Sequence, residues 1–153
     1  LWTVKYLSMD ELTSKAFIAG LLHDMGKLYL LTAIEKIFQS KTATFKPPPQ
    51  LIDKILDNLH PAMGYNLLTK WHLTEAYRII ARDHHTDDYD PLNMLLLIIR
   101  LVNAVCNKIE NDDPETDLGK IIGSKEADIL GMTEIGVAEL EIALEDARTN
   151  RPM

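Results

Sequence analysis

The sequence predicts an all-α fold, and three observations carry that expectation. Apolar residues recur at three- and four-residue spacing along most of the chain. No run alternates convincingly with period two, as a half-buried strand would. The β-branched residues are scattered instead of gathered into short strand-like clusters.

Taken in order, Ser14 onward places Phe17, Ile18, Leu21 and Leu22 at helical spacing, with His23 one step beyond. Gly26 permits a break or kink, and Lys27 to Phe38 then reads as a second helix with Leu28, Leu31, Ile34 and Ile37 or Phe38 inward. Residues Gln39 to Gln50 are polar and end in Pro47-Pro48-Pro49, which predicts a surface loop with a stiff tip. Leu51, Ile52, Ile55, Leu56 and Leu59 mark a short amphipathic helix. His60 precedes Pro61, a suitable first residue for a new helix to about Lys70.

Thr74 can cap the next helix, with Ala76, Ile79 and Ile80 inward and His84 four residues after Ile80. Asp87 to Pro91 reads as a turn. Leu92 to Ile109 is apolar nearly all round, so it is expected to be the central helix. Asn111 to Glu115 is an acidic break. Thr133 can cap a last helix whose Val137, Leu140 and Leu144 face inward while Glu139, Glu141 and Glu145 face water.

At 153 residues the chain suits a single domain over 1–153 with a substantial core. With 46 % hydrophobic and 25 % charged residues it has an ordinary globular composition. A net charge of −7 argues against a nucleic-acid partner and against anionic membranes. Cys106 is the sole cysteine, so no disulfide framework exists and a reducing cytoplasm is expected. The longest uninterrupted apolar run, Met94 to Ile99, is six residues, against about 20 for a bilayer span. No leader is recognisable, and the start at Leu1 suggests that the natural N-terminus lies upstream.

The chemistry centres on Leu21 to Leu31, LLHDMGKLYLL, where His23 and Asp24 stand side by side between apolar runs. Burying both groups is costly unless something pairs with them, and a divalent metal accepts both imidazole and carboxylate. His60 begins H-P-x-x-G, and His84 and His85 stand together after Asp83. Alone, His60 reads as a capping residue and the pair as a wet turn. Jointly, three histidine motifs on separate helices form a more specific constellation, which a bundle can gather round a metal. His72, beside Trp71, has no assigned role. Asp87, Asp88 and Asp90 read as solvated acids.

These motifs carry a resemblance. His23-Asp24 with Met25-Gly26-Lys27 resembles the signature of the HD superfamily of metal-dependent phosphohydrolases. LHPAMGYNLL (Leu59 to Leu68) and RIIARDHH (Arg78 to His85) resemble the next ligand segments of its HD-GYP phosphodiesterase branch. AFIAGLLHDMGKLYLL and the tail GMTEIGVAELEIAL (Gly131 to Leu144) are more similar to the HDOD group, the HD-related output domains of bacterial signalling proteins. The resemblance covers roughly Ala16 to Ala147 and lacks the helical subdomain that usually precedes it.

The resemblance implies an HD-domain-like bundle and a metal site drawn from His23, Asp24, His60, His84 and His85. One metal corner would comprise Asp24, His60, His84 and His85, all present. The second would need His23, Asp24, an upstream ligand and a later aspartate. No histidine precedes His23, Glu11 lies only twelve residues before it, and the later position is Asn103. Asparagine is the poorer partner for a divalent cation. Lys27 resembles a residue that can meet a phosphate, so Lys27 and Asn103 are the ligand-binding candidates. No residue is assigned a catalytic role.

The expectation is a degenerate, non-catalytic signalling module that retains one divalent cation (Mn, Fe, Zn or Mg). It would act through signalling proteins, further domains or a ligand, with homo-oligomers compatible. The alternative is a metal-dependent phosphohydrolase acting on a nucleotide or cyclic dinucleotide.

Overall fold

The computed structural model describes residues 2–39, 47–111 and 118–149. Every regular element among them is a helix, as the periodicity predicts. In chain order these are α1 (Trp2–Tyr6), a 3-10 turn (Asp10–Leu12), α2 (Thr13–Leu22), α3 (Met25–Gln39), α4 (Pro49–Lys70), α5 (Glu75–Asp83), α6 (Met94–Asn111), α7 (Leu118–Ile122), α8 (Lys125–Leu130) and α9 (Glu134–Thr149). They fall into two compact units, one of Leu1–Phe17 with Asp90–Met153 and one of Ile18–Tyr89.

The first unit is built on α6. Leu95 to Ile99, Leu101 and Val105 are all buried, so the helix with the most continuous apolar run is the core of its unit. α7, α8 and α9 pack against it. Ion pairs from Arg100 to Glu126 and from Lys108 to Glu141 tie α6 to α8 and α9. Glu141, expected to face water, is therefore half-buried and paired. Thr133 caps α9 as predicted, its hydroxyl accepting from the Gly136 N–H at 3.0 Å. Short α8 is capped by Ser124, whose Oγ accepts from the Ala127 N–H. It ends at Gly131, whose φ of 65° lets the Met132 N–H reach back to the Ala127 carbonyl.

In the second unit α3 packs along α4, and α4 against α5. The α2–α3 break falls at His23–Asp24, not at Gly26, which lies inside α3. Gly26 serves close approach: a Cβ there would stand 2.0 Å from the His60 carbonyl oxygen and 2.7 Å from the Gly64 nitrogen. Gly64 faces it from α4, so the two helices cross backbone to backbone at the level of His60. This crossing also sets the face of α3. Gly26 and Leu30 are buried, whereas Leu28 and Leu31, expected inward, are exposed; of the alternatives Ile37 and Phe38, Ile37 is exposed and Phe38 half-buried. On α2 Ala16 and Ala19 are buried in place of Phe17, Ile18 and Leu21.

The two helices expected at Leu51–Leu59 and Pro61–Lys70 are one. Pro61 sits within α4, where it forgoes a single backbone hydrogen bond without ending the helix. The expected Gln39–Gln50 loop is shorter at both ends. Gln39 closes α3, Pro49 is a first helical residue with Pro48 extended before it, and residues 40–46 lie outside the described range.

By length and composition alone, one helical stretch, Asp10–Gln39, is apolar enough to cross a membrane. The count of uninterrupted apolar residues did not anticipate it. Only 17 % of its most apolar window is buried, Phe17, Leu21, Leu28 and Ile37 are exposed, and the His23–Asp24 turn interrupts it.

Candidate metal centre

The α3–α4 crossing brings Asp24, at the head of α3, against His60 in the middle of α4. α5 delivers His84 at its C-terminal cap, followed by His85. One ligand atom from each of Asp24, His60, His84 and His85 lies within 4.8 Å of the other three. The two innermost, His60 and His84, are only 1 % and 2 % exposed. His85 is exposed and Asp24 half-buried, so the cluster has a closed floor and an open rim.

Backbone carbonyls settle which ring nitrogens face the cluster. His60 Nδ1 is 2.8 Å from the Leu56 carbonyl, and His84 Nδ1 is 3.0 Å from that of Ala81 and 3.1 Å from that of Ile80. A carbonyl only accepts, so each Nδ1 carries the proton and each neutral ring presents a bare Nε2 lone pair. The two Nε2 atoms are 3.1 Å apart, and Asp24 Oδ1 lies 3.3 Å from one and 3.4 Å from the other. Three acceptors thus face one another with no proton among them. Asp24 Oδ1 is buried and accepts no hydrogen bond.

The cluster can be completed by a metal ion, an added proton or a water that donates to the facing acceptors. Ligands about 2.1 Å from one ion stand about 3.0 Å apart at right angles and about 3.4 Å apart at the tetrahedral angle. The three separations fall in that range. Two or three imidazoles with one carboxylate is a donor set for Zn, Fe or Mn more than for Mg or Ca.

The remaining candidates sit differently. His23 donates Nδ1–H to the Gly20 carbonyl at 2.7 Å and turns its Nε2 to the other carboxylate oxygen, Asp24 Oδ2, at 3.5 Å. Lys27 Nζ donates to the same Oδ2 at 3.0 Å. Lys27 is thus the carboxylate's partner. Asn103 stands half-buried on α6, in the other unit. Sequence reasoning missed Gly26 as the residue permitting the crossing, and the carbonyls of Gly20, Leu56, Ile80 and Ala81 that fix the tautomers. Every helix offers such carbonyls, so no residue type marks them.

Electrostatics keep the cluster ready for a cation at neutral pH. Burial lowers the affinity of His23 and His60 for a proton. Burial together with the neighbouring His84 and His60 pushes His85 down to about 4. Burial alone would raise the Asp24 carboxyl, but the Lys27 ammonium bonded to Oδ2 is among the groups that outweigh it and hold the carboxyl well below the usual carboxylate range.

No curated protein and no solved structure matches the chain significantly. A family model, that of the HDOD domain, matches residues 4–87. The match starts before the stretch that carries the resemblance and stops short of the Gly131 to Leu144 tail. It spans more than half of the chain and contains the HD dyad, the H-P-x-x-G histidine and the paired histidines, so the chain belongs to the HDOD family.

Proposed function

We propose that this chain is a non-catalytic HDOD output module that holds a single divalent metal ion between Asp24, His60, His84 and His85. The observation that carries the reading is the state of the Asp24 carboxylate. Oδ1 faces two bare imidazole nitrogens, while Oδ2 is already held by the Lys27 ammonium. A carboxylate used in this way serves one metal corner. Bridging a second ion would require Lys27 to leave, and the four residues form the only group of three or more potential metal-ligating side chains among the described residues.

Hydrolysis of a phosphodiester gains most from two ions that stabilise attacking and leaving oxygens together. A single bound ion would supply positive charge joining α3, α4 and α5. The protein's own groups would do the rest: backbone carbonyls orient the imidazoles, and Lys27 holds the carboxylate. In this reading the module acts in the cytoplasm of a bacterium, on signalling proteins or on further domains of its own chain.

The test is elemental analysis of untagged protein after loading with Mn²⁺, Fe²⁺ or Zn²⁺, with parallel assays on nucleotides and cyclic dinucleotides. One equivalent of metal, lost in Asp24→Asn, without turnover is the expected result. Metal-dependent turnover abolished by the same substitution would replace this reading with the phosphohydrolase, for which the open rim at His85 and Lys27 offers access.

A further inference from the structure

The α3–α4 surface carries two adjoining cavities, of about 450 and 420 Å³, that share Tyr29 and Leu67. Leu28, Met63 and Trp71 extend their apolar lining, and Trp71 is 51 % exposed. The charged residues of the lining are Lys36 and Lys70, and no acid contributes to either cavity. Together they make an apolar groove with basic edges.

The opposite chemistry stands on α9. Ile135 and Ile142 are 71 % and 58 % exposed, and on a helix they share one face with Glu139 and Asp146, both also exposed. Seven residues separate the isoleucines, about 10.5 Å of helix, against about 12 Å for the α3 stretch from Leu28 to Lys36. The charge imbalance follows the same division. The unit containing the groove has eight acidic and eight basic residues, while the unit containing α9 has fifteen acidic against eight basic. The whole net charge of −7 therefore belongs to the unit that carries α9.

We infer that the α3–α4 groove receives the outer face of α9 from a second copy of this chain. Ile135 and Ile142 would enter the apolar floor, and Glu139 and Asp146 would meet Lys36 and Lys70. Such a contact joins two different surfaces, so it is heterologous. Each copy keeps one free groove and one free helix face, and association continues into larger rings or chains. Opposite charges at the rim make it weaken with salt.

Sedimentation velocity of the full chain from micromolar to several hundred micromolar tests this. Weight-average mass should rise beyond the dimer with concentration and fall back in 0.5 M NaCl. Two exposed-surface variants separate the faces: I135K/I142K removes the helix face, and K36E/K70E inverts the groove edges. Each alone should remain monomeric with unchanged helical circular dichroism. Their equimolar mixture should form dimers and nothing larger, because one intact groove and one intact helix face remain between them. I135S/I142S repeats the helix-face test should the lysine variant misfold. A wild-type chain monomeric throughout, either variant associating as wild type does, or a mixture of folded variants that stays monomeric would overturn the proposal.

Discussion

Around α6 the buried side chains are almost all aliphatic, from Leu95 through Val105 and on to Ile121, Leu130, Val137 and Leu140. Among the described residues of the Ile18–Tyr89 unit, the buried apolar side chains are only Ala19, Leu30, Leu68, Ile80 and Ala81, and beside them lie His60 and His84. Removal of apolar surface from water contributes about 25 cal/mol per Å², so the α6 unit holds itself together in the ordinary way. The other unit places two imidazoles and a carboxylate where an apolar core would be, and they face one another lone pair to lone pair. One unit is stabilised by what it excludes, the other by what it can bind. On the reading proposed above, a cation at the cluster would be part of the second unit's fold.

The comparison breaks most visibly under paired core substitutions. Leu96→Ala should cost about 3–5 kcal/mol by chemical denaturation while leaving metal affinity intact, because Leu96 lies in the α6 core. Gly26→Ala should cost about 2–3 kcal/mol and also abolish metal binding, since its methyl would press on the His60 backbone and part α3 from α4. Gly64→Ala is the control. Its Cβ would meet Ala81 at an ordinary 3.4 Å, so metal binding should survive.

Asp24→Asn sharpens the contrast by separating fold from ligand. An Asn amide can donate to a bare Nε2, so apo stability should change by less than about 1 kcal/mol. The metal-dependent increment, about 2.7 kcal/mol at a hundred times Kd, should vanish from the melting curve.

A smaller effect comes from pH in metal-free protein. His23, His60 and His85 have lowered proton affinity when folded, whereas the unfolded chain takes up protons near 6.5. The unfolded state therefore binds more protons below 6.5, and stability falls as pH falls through that value. For His85 the loss is complete near pH 4. The depressed Asp24 stabilises above the ordinary carboxylate pKa of 3.8, and that contribution disappears on further acidification. Melting temperature should drop by several degrees between pH 7.5 and 5, with the second unit unfolding first.

The smallest expected effect is shared by both units. Ser8 and His72 hold φ values of 55° and 56° outside glycine's company, one in each unit. Replacing either by Gly should stabilise by about 0.5–1 kcal/mol in denaturant titrations, by relief of left-handed strain.

How much of this was legible in the sequence follows from which interactions are local. The apolar run of α6, the Thr133 cap and the HD, H-P-x-x-G and HH motifs are contiguous signals, and the structure brings the three motifs together. Pro61 misled because a proline's local meaning is a boundary, whereas the packing of α3 and α5 against α4 keeps that helix continuous. Gly26 misled for the same reason. Its local meaning is freedom, and its use is absence of a side chain against His60. The inward faces of α2 and α3 were misassigned because the bulkiest residues, Phe17, Leu21 and Leu28, stand outward while small ones make the contacts. The five- and six-residue helices α1, α7 and α8 are too short to show a period.

The most direct test of the central claim is amide hydrogen exchange by mass spectrometry on the whole chain, with chelator and then with saturating Mn²⁺ or Zn²⁺ at pH 7.5. Metal should slow exchange in α3, α4 and α5 by tenfold or more, about 1.4 kcal/mol of local stability, and leave α6 and α9 as they were. Equal slowing across both units, or none in α3 to α5, would contradict the account.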